Sequence, residues 1–203
     1  MTRILPLLGL ALLIACGDDV TDDTQKPGDT DADTDTDSDT DADSDADTDP
    51  KDIGSESFPF EMEDINPSSP TYGTTVESVS LAGDPYALLF MDSRCTGCID
   101  LANDVFAALV EHPTWQAGLP IYGVQSFSAY ANSPSTIEPM VEDNDLPYLV
   151  DIEENTMWGA YNALNHDMVV ISADGLVEAW LPLYVWPEDM AEFEAYMTER
   201  FGE

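Results

Sequence analysis

The chain reads as an α/β domain of three layers (α/β/α), with helices on both faces of a mixed central sheet, and three observations carry that reading. After residue 52 the elements run strand, helix, strand, helix, hairpin, helix, an order that sets parallel strands in a sheet covered on both sides. The run Tyr86-Ala87-Leu88-Leu89-Phe90-Met91 is apolar at every position, as expected of a central strand buried on both faces. Finally, Ala173-Asp174-Gly175 separates two strand-like runs, a hairpin signal that adds an antiparallel edge.

In chain order, residues 58–62 (Phe-Pro-Phe-Glu-Met) read as an edge strand because of Pro59, and a Pro, Ser and Gly loop follows through Gly73. Residues 86–91 give the first buried strand. Beyond Cys98, the positions Ile99, Ala102, Val105, Phe106, Leu109 and Val110 recur at helical spacing, and His112-Pro113 ends the pattern. His112 suits the negative end of that helix as a cation. Residues 121–125 and 148–151 read as strands, with a helix over 156–163 after the second. Strands over 168–172 and 176–181 form the hairpin. A last helix over 187–200 has Pro187 early, Glu188 and Asp189 in its first turn, Arg200 in its last and Gly202 beyond. Met190, Phe193 and Met197 mark its buried stripe.

The first 52 residues differ in kind. Residues 1–15 combine one charge, Arg3, with a short apolar core and a small-residue end, which reads as an export signal too short to span a bilayer. Leu13-Ile14-Ala15-Cys16 resembles the bacterial lipobox, which implies cleavage before Cys16 and a diacylglyceryl group on its sulfur. Residues 16–52 then form an Asp-rich linker. It holds 16 of the chain's 42 acidic residues against Lys26 and Lys51 and almost nothing apolar, so it reads as a disordered, self-repelling tether. Its Asp-x-Asp repeats lack the Gly turn and terminal Glu of an EF-hand loop. Residues 53–203 keep 26 acidic residues against Arg94 and Arg200, a field that repels phosphates and excludes nucleic acid as a partner.

The chemistry centres on Cys95-Thr96-Gly97-Cys98. Its place between a buried strand and a helix puts Cys95 where exposed N–H groups and the helix dipole favour a thiolate, the species that attacks disulfides. A structural staple or a metal site could use the same pair. The chain has three cysteines; with Cys16 lipidated, Cys95 and Cys98 remain, in an exported compartment that permits disulfides.

With C-x-x-C after the first buried strand, the chain resembles the thioredoxin superfamily, and within it the exported redoxin and TlpA/ResA-like proteins. The resemblance covers residues 58–201 and rests on residues 88–98 (Leu-Leu-Phe-Met-Asp-Ser-Arg-Cys-Thr-Gly-Cys), 146–151 (Leu-Pro-Tyr-Leu-Val-Asp) and 169–175 (Val-Val-Ile-Ser-Ala-Asp-Gly). It implies a thioredoxin-like fold and a thiol-disulfide oxidoreductase acting on exported protein thiols and disulfides, with Cys95 as nucleophile, Cys98 as resolving thiol, a disulfide between them, and neither cofactor nor resident metal. The implied protein is a monomer held to the bacterial cell envelope by its lipid, periplasmic or surface-exposed. Arg94 stands where the family commonly has Trp, either favouring the Cys95 thiolate or pairing with a carboxylate. His166 stands near the position of the family's cis-proline; Pro147 comes too early to replace it. Facing the sulfurs, His166 would accept a proton or complete a Cys-Cys-His metal site; otherwise it is a loop histidine bonded locally, for instance to Asp167. The alternatives are therefore a copper-binding or delivery protein and a non-catalytic binding module, for which Tyr184 and Trp186 are candidate surface aromatics.

Overall fold

Strand β3 (Tyr86–Met91) organises the molecule: all six of its side chains are buried. A computed structural model of the chain describes residues 52–132, 134–154, 156–184 and 188–202. The export signal, Cys16, the Asp-rich linker up to Lys51, and Trp186 lie outside the described residues. Around β3 stand β1 (Glu61–Asp64), β2 (Thr75–Glu77), β4 (Ile121–Gln125), β5 (Tyr148–Val150), β6 (Asp167–Ile171) and β7 (Val177–Pro182), in a seven-stranded sheet of order β2-β1-β5-β4-β3-β6-β7. The β3–β4 and β4–β5 pairs are parallel and the remaining pairs antiparallel, so the sheet is mixed as the element order predicts.

The pleat divides β3 between two cores. Ala87, Leu89 and Met91 face one side, where they meet α1 (Thr96–Glu111), α2 (Pro113–Gly118) and α6 (Glu188–Phe201) through Leu101, Val105, Leu109, Trp115, Phe193 and Met197. Tyr86, Leu88 and Phe90 face the other, against Met157 of α5 (Thr156–Ala160) and Tyr161. Each of these large side chains contributes about 1.5–3 kcal/mol by leaving water. Two short helices, α3 (Phe127–Asn132) and α4 (Glu138–Val141), follow β4.

The first strand and the helix after β5 differ from expectation. The first strand runs over 61–64 rather than 58–62, and it is interior, because β2 pairs with its outer side. Pro59 lies before the strand, so it removes no ladder bond. The helix after β5 stops at Ala160 rather than 163, since Asn162 takes φ 45°, outside the helical region. The hairpin forms as read, with Gly175 at φ 78° in its turn and an irregular register between Val170 and Ile171.

Candidate functional site

The β3 strand ends at Met91, and within four residues the chain turns into α1. Asp92 fixes that turn. Its backbone carbonyl accepts from Cys95 N (2.8 Å), and its carboxylate accepts from Arg94 N (2.9 Å), Arg94 Nε (3.0 Å) and Arg94 Nη2 (2.6 Å). Ser126 Oγ adds a bond to the same carboxylate at 3.2 Å. Burial pushes the Asp92 carboxyl up, but the hydrogen bonds and charge of Arg94 outweigh it and hold the group below its usual range. Of the two readings of Arg94, the structure selects the ion pair: its guanidinium is committed to Asp92.

Cys95 is the N-cap of the 16-residue α1 and is part-exposed, while Cys98, one turn in, is fully buried. Both are free thiols. Burial, reinforced by the hydrogen bond from its thiol to the Cys95 sulfur and by the Cys95 charge, pushes Cys98 well above the ordinary thiol range. The pair is therefore unequal: an accessible sulfur at the positive end of a helix dipole, and a buried thiol behind it that keeps its proton.

His166 completes the group. Its Nε2 lies 3.5 Å from Cys95 Sγ, and the two sulfurs and an imidazole nitrogen all fall within 4.8 Å of one another. Gly97 gives the ring room: a Cβ there would stand 3.3 Å from His166 Cε1, closer than ordinary contact. The backbone of His166 is fixed at both ends, its N–H donating to Phe90 O (2.8 Å) and its carbonyl accepting from Leu183 N (3.0 Å). Its φ is 76°, in the left-handed region that costs a non-glycine residue about 1–2 kcal/mol. Burial lowers the His166 pKa, against the opposing charges of Asp167 and Asp189 and a hydrogen bond with the Leu183 backbone, and so favours the neutral ring.

Asp167, the neighbour of His166, accepts from Leu164 N (2.7 Å), Trp180 Nε1 (3.1 Å) and the Tyr184 hydroxyl. That bond ties one of the candidate surface aromatics, Tyr184, to the turn. His112 caps the end of α1 and stacks on Trp115, the centroids 4.1 Å apart.

Sequence reasoning missed the polar layer beneath the cysteines. Gln125 Oε1 accepts from Ser93 N (2.9 Å) and from the Tyr148 hydroxyl (2.6 Å), which also reaches Met91 O at 3.2 Å. Gln125 and Tyr148 are buried. The available signal was a polar residue closing each of two apolar strands, Asp92 after β3 and Gln125 at the end of β4, at the carboxyl edge where parallel sheets build their sites. A cleft of about 470 Å³ lined by Phe60, Met62, Val79, Ile152 and Met157 among others includes none of the cysteines or His166.

No protein-family model matches the chain, and no curated protein matches it. Solved structures do. A candidate DsbE thiol:disulfide interchange protein from Chlorobium tepidum aligns at TM-score 0.59 and 14% identity, covering 74% of this chain and 99% of that one. A candidate protein disulfide isomerase from Bacteroides thetaiotaomicron aligns at 0.58 and 18%, covering 75% and 91%. A secreted disulfide oxidoreductase of Mycobacterium tuberculosis, homologous to E. coli DsbE, aligns at 0.52 and 16%, covering 69% and 95%. At these identities the likeness is one of architecture, and together with the mixed sheet and its flanking helices it establishes that the described part of the chain has a thioredoxin-like fold.

Proposed function

We propose that the chain is a thiol-disulfide oxidoreductase in which Cys95 attacks and Cys98 resolves. The observation that carries this reading is the inequality of the pair, an accessible sulfur at the N-cap of α1 backed by a fully buried, proton-holding thiol within bonding reach. The named activities of the fold neighbours agree with it.

His166 is assigned the proton. The neutral imidazole takes the Cys95 proton through Nε2, and the thiolate attacks one sulfur of a partner disulfide. That S–S bond breaks as the mixed disulfide forms, and the departing thiolate takes up a proton. Cys98 then loses its proton and attacks Cys95 Sγ, closing the Cys95–Cys98 disulfide and releasing the second partner thiol. Two electrons and two protons pass to the partner in all. Arg94 supports this chemistry by holding Asp92 and the turn that presents Cys95.

The test compares insulin reduction, and redox equilibration with glutathione, for the wild type and Cys95→Ser. Equal rates in the two would remove the enzyme reading. By the same proposal, residues 53–203 are the working domain of a monomer tethered to the envelope by a lipid on Cys16, with 16–52 as spacer. No helix among the described residues is long and apolar enough to cross a membrane. Mass spectrometry of the intact chain from membranes should find a diacylated Cys16; a chain that retains Met1 would refute the anchor.

A further inference from the structure

We propose that Cys95, Cys98 and His166 form a binding site for a thiophilic closed-shell cation, Cu(I) before Zn(II), filled only when the two cysteines are reduced. The site uses the same sulfurs as the exchange chemistry but does not rest on it, since it requires only the dithiol.

Geometry is the first argument. Metal–sulfur bonds of about 2.3 Å and metal–nitrogen bonds of about 2.0–2.1 Å place a bound sulfur and nitrogen roughly 3.6–3.8 Å apart at tetrahedral to trigonal angles. Cys95 Sγ and His166 Nε2 stand at 3.5 Å. The other separations do not exceed 4.8 Å, so closing all three donors on one ion needs movement of about 1 Å at most. The donors are also held from behind: Cys95 N and Cys98 N are bonded into the turn and first helical turn, and both backbone groups of His166 are bonded. Such support is what keeps a metal site in register.

The donor set selects the ion. Two thiolates and an imidazole are soft ligands, suited to Cu(I) and zinc and unsuited to calcium or magnesium. Among the described residues the group contains no fourth His, Cys, Asp or Glu, and the nearby Asp92 carboxylate is engaged by Arg94. Three donors complete a trigonal Cu(I) site, whereas zinc needs a fourth ligand from outside. Part-exposed Cys95 gives the ion a route in and out, with Cys98 as the buried floor.

Occupancy and disulfide formation exclude each other. Binding replaces two thiol protons with one cation: two S–H bonds break, two Cu–S bonds form and two protons are released. When a partner disulfide takes two electrons from the pair, its sulfurs leave as thiols after taking up two protons, the Cys95–Cys98 bond forms, and the ion loses both sulfur donors. Delivery of the ion and reduction of a partner disulfide would then be one event.

The test uses the full chain, reduced and anaerobic, in competition with a chromophoric Cu(I) chelator, with Zn(II) and a zinc chelator as the parallel arm. The blank is the Cys95→Ser/Cys98→Ser variant, which retains the Asp-rich linker. The wild type should retain one equivalent of Cu(I), lose it on oxidation of the pair, and bind zinc more weakly against its chelator. His166→Gly and His166→Asn, both compatible with a left-handed backbone, should each weaken Cu(I) retention at least tenfold. X-ray absorption of the copper-loaded wild type should find two sulfurs and one nitrogen, a measurement that needs no variant to fold. Retention no better than the blank, a copper shell of sulfur alone, or His166 variants that bind as the wild type would each overturn the site. Stoichiometric zinc with no Cu(I) would overturn the choice of ion.

Discussion

Replacing Gly123 by alanine probes the packing beneath the cysteines, because a Cβ built there stands 2.3 Å from Tyr148 Cδ2, 2.8 Å from Cε2 and 3.1 Å from Met91 Cε. Carbon atoms in contact settle about 3.5–4.0 Å apart, so the ring must retreat by more than about 1 Å. It has little freedom to do so. Tyr148 is buried, its hydroxyl is bonded to Gln125 and Met91, and its N–H donates to Asp64 at 3.0 Å. Overpacking costs about 1–3 kcal/mol, and leaving a buried phenol or amide unpaired costs about 1–3 kcal/mol. Alanine recovers about 0.5–1 kcal/mol through its smaller loss of backbone freedom. The balance is a destabilisation of about 3 kcal/mol, or about 6–12 °C in Tm for a domain of this size. Urea unfolding followed by tryptophan fluorescence measures it, with an unchanged m-value confirming that the native state is what moved. Tyr148→Ala removes the whole ring, so the double variant should cost at least about 1 kcal/mol less than the sum of the single ones. A Gly123→Ala protein with the wild-type midpoint, or costs that simply add, would refute the wedge.

Three further outcomes are expected. Cys98→Ser should accumulate a partner-linked mixed disulfide on Cys95, visible on non-reducing gels, while Cys95→Ser accumulates none; trapping through Cys98 would reverse the roles. Gly97→Ala should raise helix stability by up to about 1 kcal/mol yet slow insulin reduction, because its Cβ crowds the His166 ring at 3.3 Å. An unchanged rate would show that the ring yields to the methyl group and would refute the crowding. Because burial lowers the His166 pKa, the folded chain holds this proton more loosely than the unfolded chain. The stability involved is complete above the ordinary imidazole value of about 6.5 and is lost as pH falls below it, until the folded ring protonates too. Subtracting the pH profile of His166→Asn unfolding from that of the wild type isolates this loss among the many carboxylates, and a flat difference counts against it.

What could be read from the sequence follows how local each signal is. Residues 86–91, 121–125, the Ala173-Asp174-Gly175 hairpin and the stripe Met190, Phe193, Met197 carry their periodicity within one element, and each stands where it was expected. Strand β2 has three residues and one buried side chain, Val76, so it exists through its pairing with β1 rather than through a pattern of its own. Helix α2 was hidden by a double signal: His112-Pro113 ends α1, and the same proline opens the next helix, whose Trp115 packs edge-on to Phe193 of α6. The cysteines and His166 were legible by spacing and by counting back from the hairpin. The Asp92, Gln125 and Tyr148 layer was not, because it depends on registers between distant strands, Met91 against Gln125 and Gly123 against Tyr148.

His166 is more than a side chain placed where a proline is usual. Proline fixes φ near −65° and has no N–H, whereas this residue adopts φ 76° and donates its N–H to Phe90 O. The turn is therefore built on a different backbone, one that proline could neither enter nor hydrogen-bond. The left-handed conformation costs about 1–2 kcal/mol, and two backbone hydrogen bonds of about 1 kcal/mol each are of the size needed to hold it. Those bonds have a consequence for recognition: with the N–H committed to Phe90 and the carbonyl to Leu183, a partner peptide cannot pair with the backbone of residue 166 without displacing one of them. In the exchange proposed above, contact with a partner at this point falls instead to the imidazole, which lies against Gly97 and 3.5 Å from Cys95 Sγ, so the group beside the incoming sulfur is also the one that takes the Cys95 proton.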